Sequence, residues 1–447
     1  MALGFVAERE RDDRLLLTAV GQINHGGLQA VIDGEQAVVV ANLNLDAGKI
    51  AMNMSDFFAA HSFFSHGISF LRGDWEEHYD LTLELFNLAM KCALMNAEHE
   101  SLKVLIDQVM QNAKCFEDRC QAISYTITLL TWSGNVPGAI ELINSTLTNL
   151  GEGLPMIMAP TDMKHHLDNT KALLASLSDD ALLNYPVMTN PSKILAVELL
   201  AKLFQILPFV GARASVMPII PFKAIQISLQ YGMCPLSPVA FAQYGNFLSL
   251  VVYEFEEGYR YMKLALSLMK KSPSRAHDGS VMFHSNYTKL HVEPMQSAIE
   301  CYVDAFTASM KSGNPYAIGC SYVYDIFCFW SGKELKAVIF LMEATIRGTK
   351  HQKNFLLLTL MQSTFRLALR LMGESSAPRQ HDLIKEDDIT EKHVLHLRQD
   401  CFVRLTEALM FRDLNEAKDA IDKYSIIGES ALCHFSVTTT PMLFMRL

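Results

Sequence analysis

No run of basic residues interrupts this 447-residue chain, and Lys270–Lys271 is as dense as its positive charge becomes. With 38 Lys and Arg against 48 Asp and Glu, the net charge is −10. Phosphate recognition needs clustered cations, so neither nucleic acid nor an anionic membrane is expected as the partner. A CxxC pair is absent too. The nine cysteines, an odd number, are scattered from Cys92 to Cys433, which points to a reducing, cytoplasmic setting. Residues Met1 to Leu17 mix acids and bases where a signal peptide needs a basic start and then an apolar run. The N-x-S/T triplets at Asn53, Asn144 and Asn286 are therefore read as chance matches.

A long uncharged apolar run is missing as well. The nearest approach is Ile194 to Val210, which Glu198, Lys202 and Gln205 mark along one face and Pro208 and Gly211 cut short. A span needs about 20 apolar residues with few charges, so this stretch is expected to be an amphipathic core helix. No G-x-S-x-G elbow occurs, and no catalytic signature surrounds a cysteine. The Gly48–Lys49 pair has Leu43 where a P-loop needs Gly and Ile50 where it needs Ser or Thr.

What the chain has is a period. Hydrophobic residues make up 50% and charged ones 19%, enough for a large core and against disorder. A small residue follows a turn-like residue by five places at Asn96/Ser101, Gly134/Ala139, Tyr253/Gly258, Glu293/Ala298, Gly332/Ala337 and Arg412/Ala417. Successive turns are 38, 119, 40, 39 and 80 residues apart, near multiples of a unit of about 40. Helix-like segments at that period predict an all-α, tetratricopeptide-like α-solenoid of antiparallel helix pairs. Ala139, Ala298, Ala337 and Ala417 are expected to permit close helix approach.

Four segments are expected. Residues 1–50 read as an irregular lead-in, in which the β-branched run and Asp33–Gly34 of Ala30 to Leu45 suit a hairpin or a loop. Residues 51–150 read as N-terminal helical repeats, with Ser55 as a helix N-cap and Phe57, Ala60, Phe64, Ile68 and Leu71 on one face. Residues 151–235 form an irregular helical middle, broken by the Gly and Pro residues of Gly151 to Pro160, after which Thr161 or Asp162 caps a helix. Residues 236–447 read as C-terminal repeats, with a polar loop from Gly373 to Asp387.

Gly67-Ile-Ser-Phe-Leu71 with Trp75-Glu-Glu-His-Tyr-Asp-Leu81, Ala41-Asn-Leu-Asn-Leu45 with Ala47-Gly48, Tyr231-Gly232 with Ser237-Pro238, Phe241 and Tyr244-Gly245, and Phe329-Trp330-Ser331-Gly332 form a set. Together they resemble the tetratricopeptide-like region of large STAND/AAA-type P-loop ATPases of multidomain signalling proteins, from about residue 20 onward. The resemblance implies a regulatory or sensor region beside an ATPase domain that this chain does not contain, with Met1 an internal start or the product of a shortened gene model. Its motifs are packing motifs; none is catalytic.

His393 and His396 with Asp400 have a helical spacing that suits a metal, yet lie in a charged, surface-like stretch. His61 and His66, five apart, do not share a face well, and Lys164-His165-His166 reads as a solvated first turn. Cys320 or Cys328 near a histidine would be a cysteine nucleophile. Tyr322, Tyr324, Phe327, Phe329 and Trp330 suit a ligand groove or, more commonly, a core. Met90, Met110, Met269 and Met361 fall in apolar stripes. No catalytic, cofactor-binding or metal-binding residue is assigned. The expected function is a non-catalytic scaffold whose inner surface holds a protein partner or a separate or missing P-loop ATPase domain. A small-molecule sensor with a ligand in the superhelix groove is the alternative.

Overall fold

The computed structural model describes residues 13–28, 34–155, 159–207, 216–312, 316–351, 355–373 and 394–429. Every regular element among them is helical, and an isolated bridge pairs Val187 with Met233. The chain packs as two units, Met1–Leu129 and Leu130–Leu447. The first contains α1 (Asp13–Gly26), α2 (Gly34–Asn53), α3 (Phe57–Phe70), α4 (Tyr79–Met95) and α5 (His99–Asn112); α6 (Phe116–Trp132) runs across the boundary. The second contains α7 (Val136–Asn149), α8 (Pro160–Ala175), α9 (Asp179–Leu183), α10 (Pro191–Ile206), α11 (Ile219–Tyr231), α12 (Ser237–Phe247), α13 (Phe255–Lys271) and α14 (Asp278–Lys289). It continues with α15 (Met295–Ser312), α16 (Tyr316–Trp330), α17 (Leu335–His351), α18 (Phe355–Leu371), α19 (Val394–Phe411) and α20 (Leu414–Glu429).

The five-residue spacing has a backbone cause. After α2, Ser55 takes a left-handed φ of 62°, its N–H bonds Met52 O at 2.9 Å, and Asp56 N–H bonds Ala51 O at 3.0 Å. That is a Schellman ending. Asp56 then caps α3, its carboxylate accepting from Ala59 N–H at 3.0 Å. The N–H of Ala60 closes the first turn onto Asp56 O, and Ala60 is buried. One left-handed residue thus ends a helix, the next starts another, and the fourth helical residue returns against its predecessor. Ala97/Leu102, Gly134/Ala139, Tyr253/Gly258 and Arg412/Ala417 repeat the arrangement, each with positive φ at the first residue and burial at the second.

Three expectations shift by a residue. At the first turn the left-handed residue is Ala97, not Asn96, so Leu102 is buried while Ser101 is half-buried. At Gly332 one extra residue precedes the cap, Val338 N–H bonds Glu334 O at 3.0 Å, and Val338 is buried in place of Ala337. Ser55 is the left-handed residue and Asp56 the cap of α3. Farther along, α8 begins at Pro160 with Ala159 as its cap, ahead of Thr161 and Asp162. The lead-in expected to be irregular is helical from Asp13 to Gly26 and again from Gly34, so Val38 to Val40 lie in α2. The boundaries expected at 150 and 235 fall inside the second unit. Nearly all of the expected loop from Gly373 to Asp387 lies outside the described residues.

In the second unit two rows of helices alternate. α12 packs on α14, α14 on α16 and α16 on α18, whereas α13, α15 and α17 pack chiefly on the helices just before and after them. Among the described side chains, α12, α14 and α16 present no exposed residue. α17, by contrast, exposes Lys336, Phe340, Ala344, Arg347 and Lys350, one face of an ordinary amphipathic helix. α14 is polar yet buried, and two of its groups pair across helices: Gln243 Nε2 lies 3.2 Å from His284 Nε2, and Thr288 Oγ1 donates to Asn246 Oδ1 at 2.7 Å. Burial pushes the His284 imidazole down to about 3, so it stays neutral.

α12 and α13 cross at glycines. A Cβ on Gly258 would lie 2.1 Å from Ser249 Oγ and 2.7 Å from Gly245 O, and one on Gly245 would lie 2.7 Å from Gly258 O. Gly258→Ala is expected to cost about 1–3 kcal/mol by forcing these backbones apart. Urea unfolding measures it, and an unchanged midpoint would show that the crossing yields without strain. In the first unit the same device admits an aromatic ring, since a Cβ on Gly48 would lie 2.3 Å from Phe64 Cε1. α10 keeps the polar stripe read from its sequence, with Glu198, Lys202 and Gln205 half-buried, and no helix among the described residues is long and apolar enough to cross a membrane.

Candidate interaction surface

The turns α12–α13 and α14–α15 stand side by side in the second unit and bring their tips together. α12 ends in a π-turn, Leu248–Val252, which widens its last coil so that Glu254 N–H reaches back to Leu248 O at 2.9 Å. Tyr253 takes the left-handed conformation there and is 56% exposed; Phe255, at the start of α13, is 41% exposed. The next tip supplies His291 and Val292, the latter 45% exposed. Phe255 and His291 stack, with ring centroids 6.2 Å apart and planes 28° apart, and Tyr253 meets Phe255 at 6.4 Å and 63°. Burial holds the His291 imidazole below its ordinary range, so the ladder of rings is uncharged at neutral pH.

Ion pairs and hydrogen bonds fix the ladder from beneath. Lys171 of α8 donates to both carboxylate oxygens of Glu254, at 2.6 and 2.7 Å. Tyr259 OH donates to Glu293 Oε1 at 2.7 Å, and Ser297 Oγ donates to Glu293 Oε2 at 3.0 Å. The Tyr259 bond is the main reason the Glu293 carboxyl lies below its ordinary range, with Ser297 and Lys289 assisting against the opposing effect of burial. The turn itself was legible in the sequence, but its outward rings were not. The available signal was an aromatic pair, Tyr253 and Phe255, at a helix-to-helix turn where solvated residues are usual.

The residues singled out from the sequence fall elsewhere. Of the aromatic set, Tyr322, Phe327 and Phe329 are buried in the core of α15 to α19, with Tyr324 and Trp330 packed against it. Tyr322 OH donates to buried Gln399 Oε1 at 2.7 Å. Cys320 and Cys328 are buried, and burial pushes the Cys320 thiol up to about 12 and the Cys328 thiol above its ordinary range, the reverse of nucleophile activation. His61 Nδ1 lies 3.0 Å from Glu98 Oε2, while His66 Nδ1 meets Ser62 O at 2.7 Å. Lys164 and His165 are exposed and His166 half-buried. His393 and the side chain of His396 lie outside the described residues; Asp400 accepts from Ser363 Oγ at 2.6 Å and lies 3.6 Å from Arg366 Nη2. Met90, Met269 and Met361 are buried and Met110 is exposed.

Together these features define an all-α helical-repeat protein with an exposed, ring-lined edge. No family model matches the chain, and no curated protein does. Among solved structures it is similar to the crystal structure of a Rap protein complexed with competence and sporulation factor, at 12% identity and a TM-score of 0.49. That likeness covers 87% of this chain and 98% of the other.

Proposed function

We propose that this chain is a non-catalytic helical-repeat scaffold, working in a reducing, cytoplasmic setting, that binds a protein partner through the edge carrying Tyr253, Phe255, His291 and Val292. The observation that carries this reading is that exposed ladder of rings, fixed in place by Lys171–Glu254 and Tyr259–Glu293. Aromatic side chains that are exposed yet held rigid offer contact area at little entropic cost and favour protein interfaces. The inner row is a poorer candidate than its sequence suggests, because α12, α14 and α16 are enclosed among the described residues. The same enclosure counts against a ligand held along that row.

The resemblance of Ala41 to Leu45, Gly67 to Leu81 and Phe329 to Gly332 to repeat regions of signalling ATPases supports a P-loop ATPase domain as the partner. A photoreactive amino acid placed at Phe255 in living cells is expected to crosslink one polypeptide that mass spectrometry identifies as such an ATPase. The same group at Lys336, on the outer face of α17, is the control. Equal crosslinking at both positions would sink the edge as the binding surface, and ATP hydrolysis by the purified chain alone would sink the non-catalytic reading.

A further inference from the structure

Side-chain pairs give the helices of the second unit a direction. Gln243 meets His284 and Asn246 meets Thr288, so α12 and α14 run the same way. α15 runs back along α14: a Cβ on Gly279 would lie 1.9 Å from Ser309 Oγ, and Lys289 Nζ lies 3.3 Å from Ser297 O. α16 reverses again, with Tyr302 meeting Phe327 at 5.6 Å. Tyr322 OH donates to Gln399 and Trp330 meets Phe402 at 5.0 Å, so α19 runs with α16. The turns α12–α13, α14–α15, α16–α17 and α19–α20 therefore share one edge of the unit.

The α19–α20 turn is apolar where solvated residues are usual. Leu409, Met410, Phe411 and Leu414 are each at least half exposed. They are also held in place. Arg370, at the end of α18, pairs with Glu407 and lies over the Phe411 ring, 4.9 Å from its centre. Arg412 takes the left-handed conformation, Asp413 N–H bonds Ala408 O at 2.8 Å, and the Asp413 carboxylate accepts from Glu416 N–H at 3.1 Å. Arg404 Nε donates to Glu416 Oε1 at 2.7 Å and ties α20 to α19. An exposed ring fixed by an ion pair is the arrangement already seen at Phe255. Arg412 and Lys418 are exposed and make no ion pair among the described residues.

We propose that Leu409, Met410, Phe411 and Leu414 are a second anchor for the protein partner held at Tyr253, Phe255, His291 and Val292. The anchor depends on that proposed edge, and its continuity with the edge is what assigns it to the same partner. Steps of about 8–10 Å from α12 to α14, α16 and α19 place the two patches roughly 25–30 Å apart. The α16–α17 tip between them is polar, with Lys333 and Glu334 exposed. The partner must then be rigid over that distance, as a helix of about 20 residues or a folded domain is. Its face toward Leu414 carries acidic side chains beside apolar ones, opposite Arg412 and Lys418.

A photoreactive amino acid at Leu414 in living cells, run in parallel with Phe255, tests it. Both positions are expected to capture one polypeptide, through different tryptic peptides of it. Leu414 is 76% exposed, so Leu414→Asp should lower capture at Phe255 about tenfold without moving the melting temperature. Arg412→Glu combined with Lys418→Glu should lower it too, whereas Arg412→Lys should preserve it. Capture at Phe255 with none at Leu414, or with a different polypeptide there, overturns the second anchor and leaves the edge standing. A Leu414 crosslink within the chain or to a second copy of it does the same. Without capture at Phe255 both readings fall. If Leu414→Asp does not fold, the paired crosslinks decide alone.

Discussion

Asp325→Asn should stabilise the second unit at pH 8 and leave it unchanged near pH 4. Asp325 lies in α16, only 2% exposed, and accepts a hydrogen bond of 2.6 Å from Thr345 Oγ1 of α17. Burial disfavours its charged form and raises the carboxyl to about 7; the Thr345 bond and the Lys333 charge pull the other way without cancelling it. The sign follows from which state holds the proton. Near pH 4 the folded carboxyl is protonated and the unfolded one is only part-way through losing its proton, so the difference between the two states is small. From about pH 4 to pH 7 the folded chain retains a proton that the unfolded chain has lost, and each unit of rising pH costs about 1.4 kcal/mol. Above pH 7 the cost is fully present, on the order of 4 kcal/mol at most. Asn keeps an oxygen for Thr345 and cannot ionise. Urea midpoints for both chains at pH 4, 6 and 8 should therefore diverge as pH rises, and parallel curves would place the charged Asp325 in better solvated surroundings than the structure gives it.

The second unit also shows what a sequence reveals and what it hides. The helix-pair period was legible because most of these turns place a left-handed residue, a cap beside it and a small or apolar residue five places on; the Glu293 turn keeps the buried Ala298 without a left-handed residue. Its errors came from one-residue differences in turn length, as at Gly332, where the burial passes from Ala337 to Val338. The β-branched run of Val38 to Val40 suggested a hairpin or a loop, but Ala41, Leu45 and Gly48 recur at helical spacing, and α3 rewards that spacing by placing the Phe64 ring on Gly48. α14 reads as a surface helix in isolation. Its burial depends on Gln243 and Asn246, some forty residues earlier, and nothing local announces those pairings. The ring-lined edge was hidden for a related reason: whether Tyr253 and Phe255 point outward is settled by the π-turn that ends α12.

Glu152→Gln is expected to be among the most damaging single changes, at about 3 kcal/mol. Gly151 ends α7 in the left-handed conformation, and the next residue, Glu152, bonds through its N–H to Leu147 O at 2.8 Å, which directs its side chain into the irregular middle of the unit. There one oxygen meets Lys193 of α10 at 2.6 Å and the other meets Lys223 of α11 at 2.7 Å. Lys193 also reaches Leu150 O at 3.3 Å and lies 5.0 Å from the centre of the Tyr231 ring. Burial raises the Glu152 carboxyl, but the two lysines outweigh it and hold it below the usual range. The carboxylate therefore contributes stability above the ordinary glutamate range, and that contribution fades as pH falls through its depressed folded value. Gln fills the same space and can still accept one bond, yet it leaves two partly buried ammonium groups without their counter-charge. Losing one partner of such a cluster costs about 3–5 kcal/mol when fully buried, and the partial exposure of Lys223 favours the lower end. Replacing all three residues together, as Glu152→Leu, Lys193→Met and Lys223→Met, should recover most of the loss, because no charge then remains to be desolvated. Urea unfolding of the single and triple variants near pH 7 separates the two effects. A triple variant no more stable than Glu152→Gln would mean that the cluster fixes the geometry of α7, α10 and α11 through directed bonds that apolar packing cannot replace.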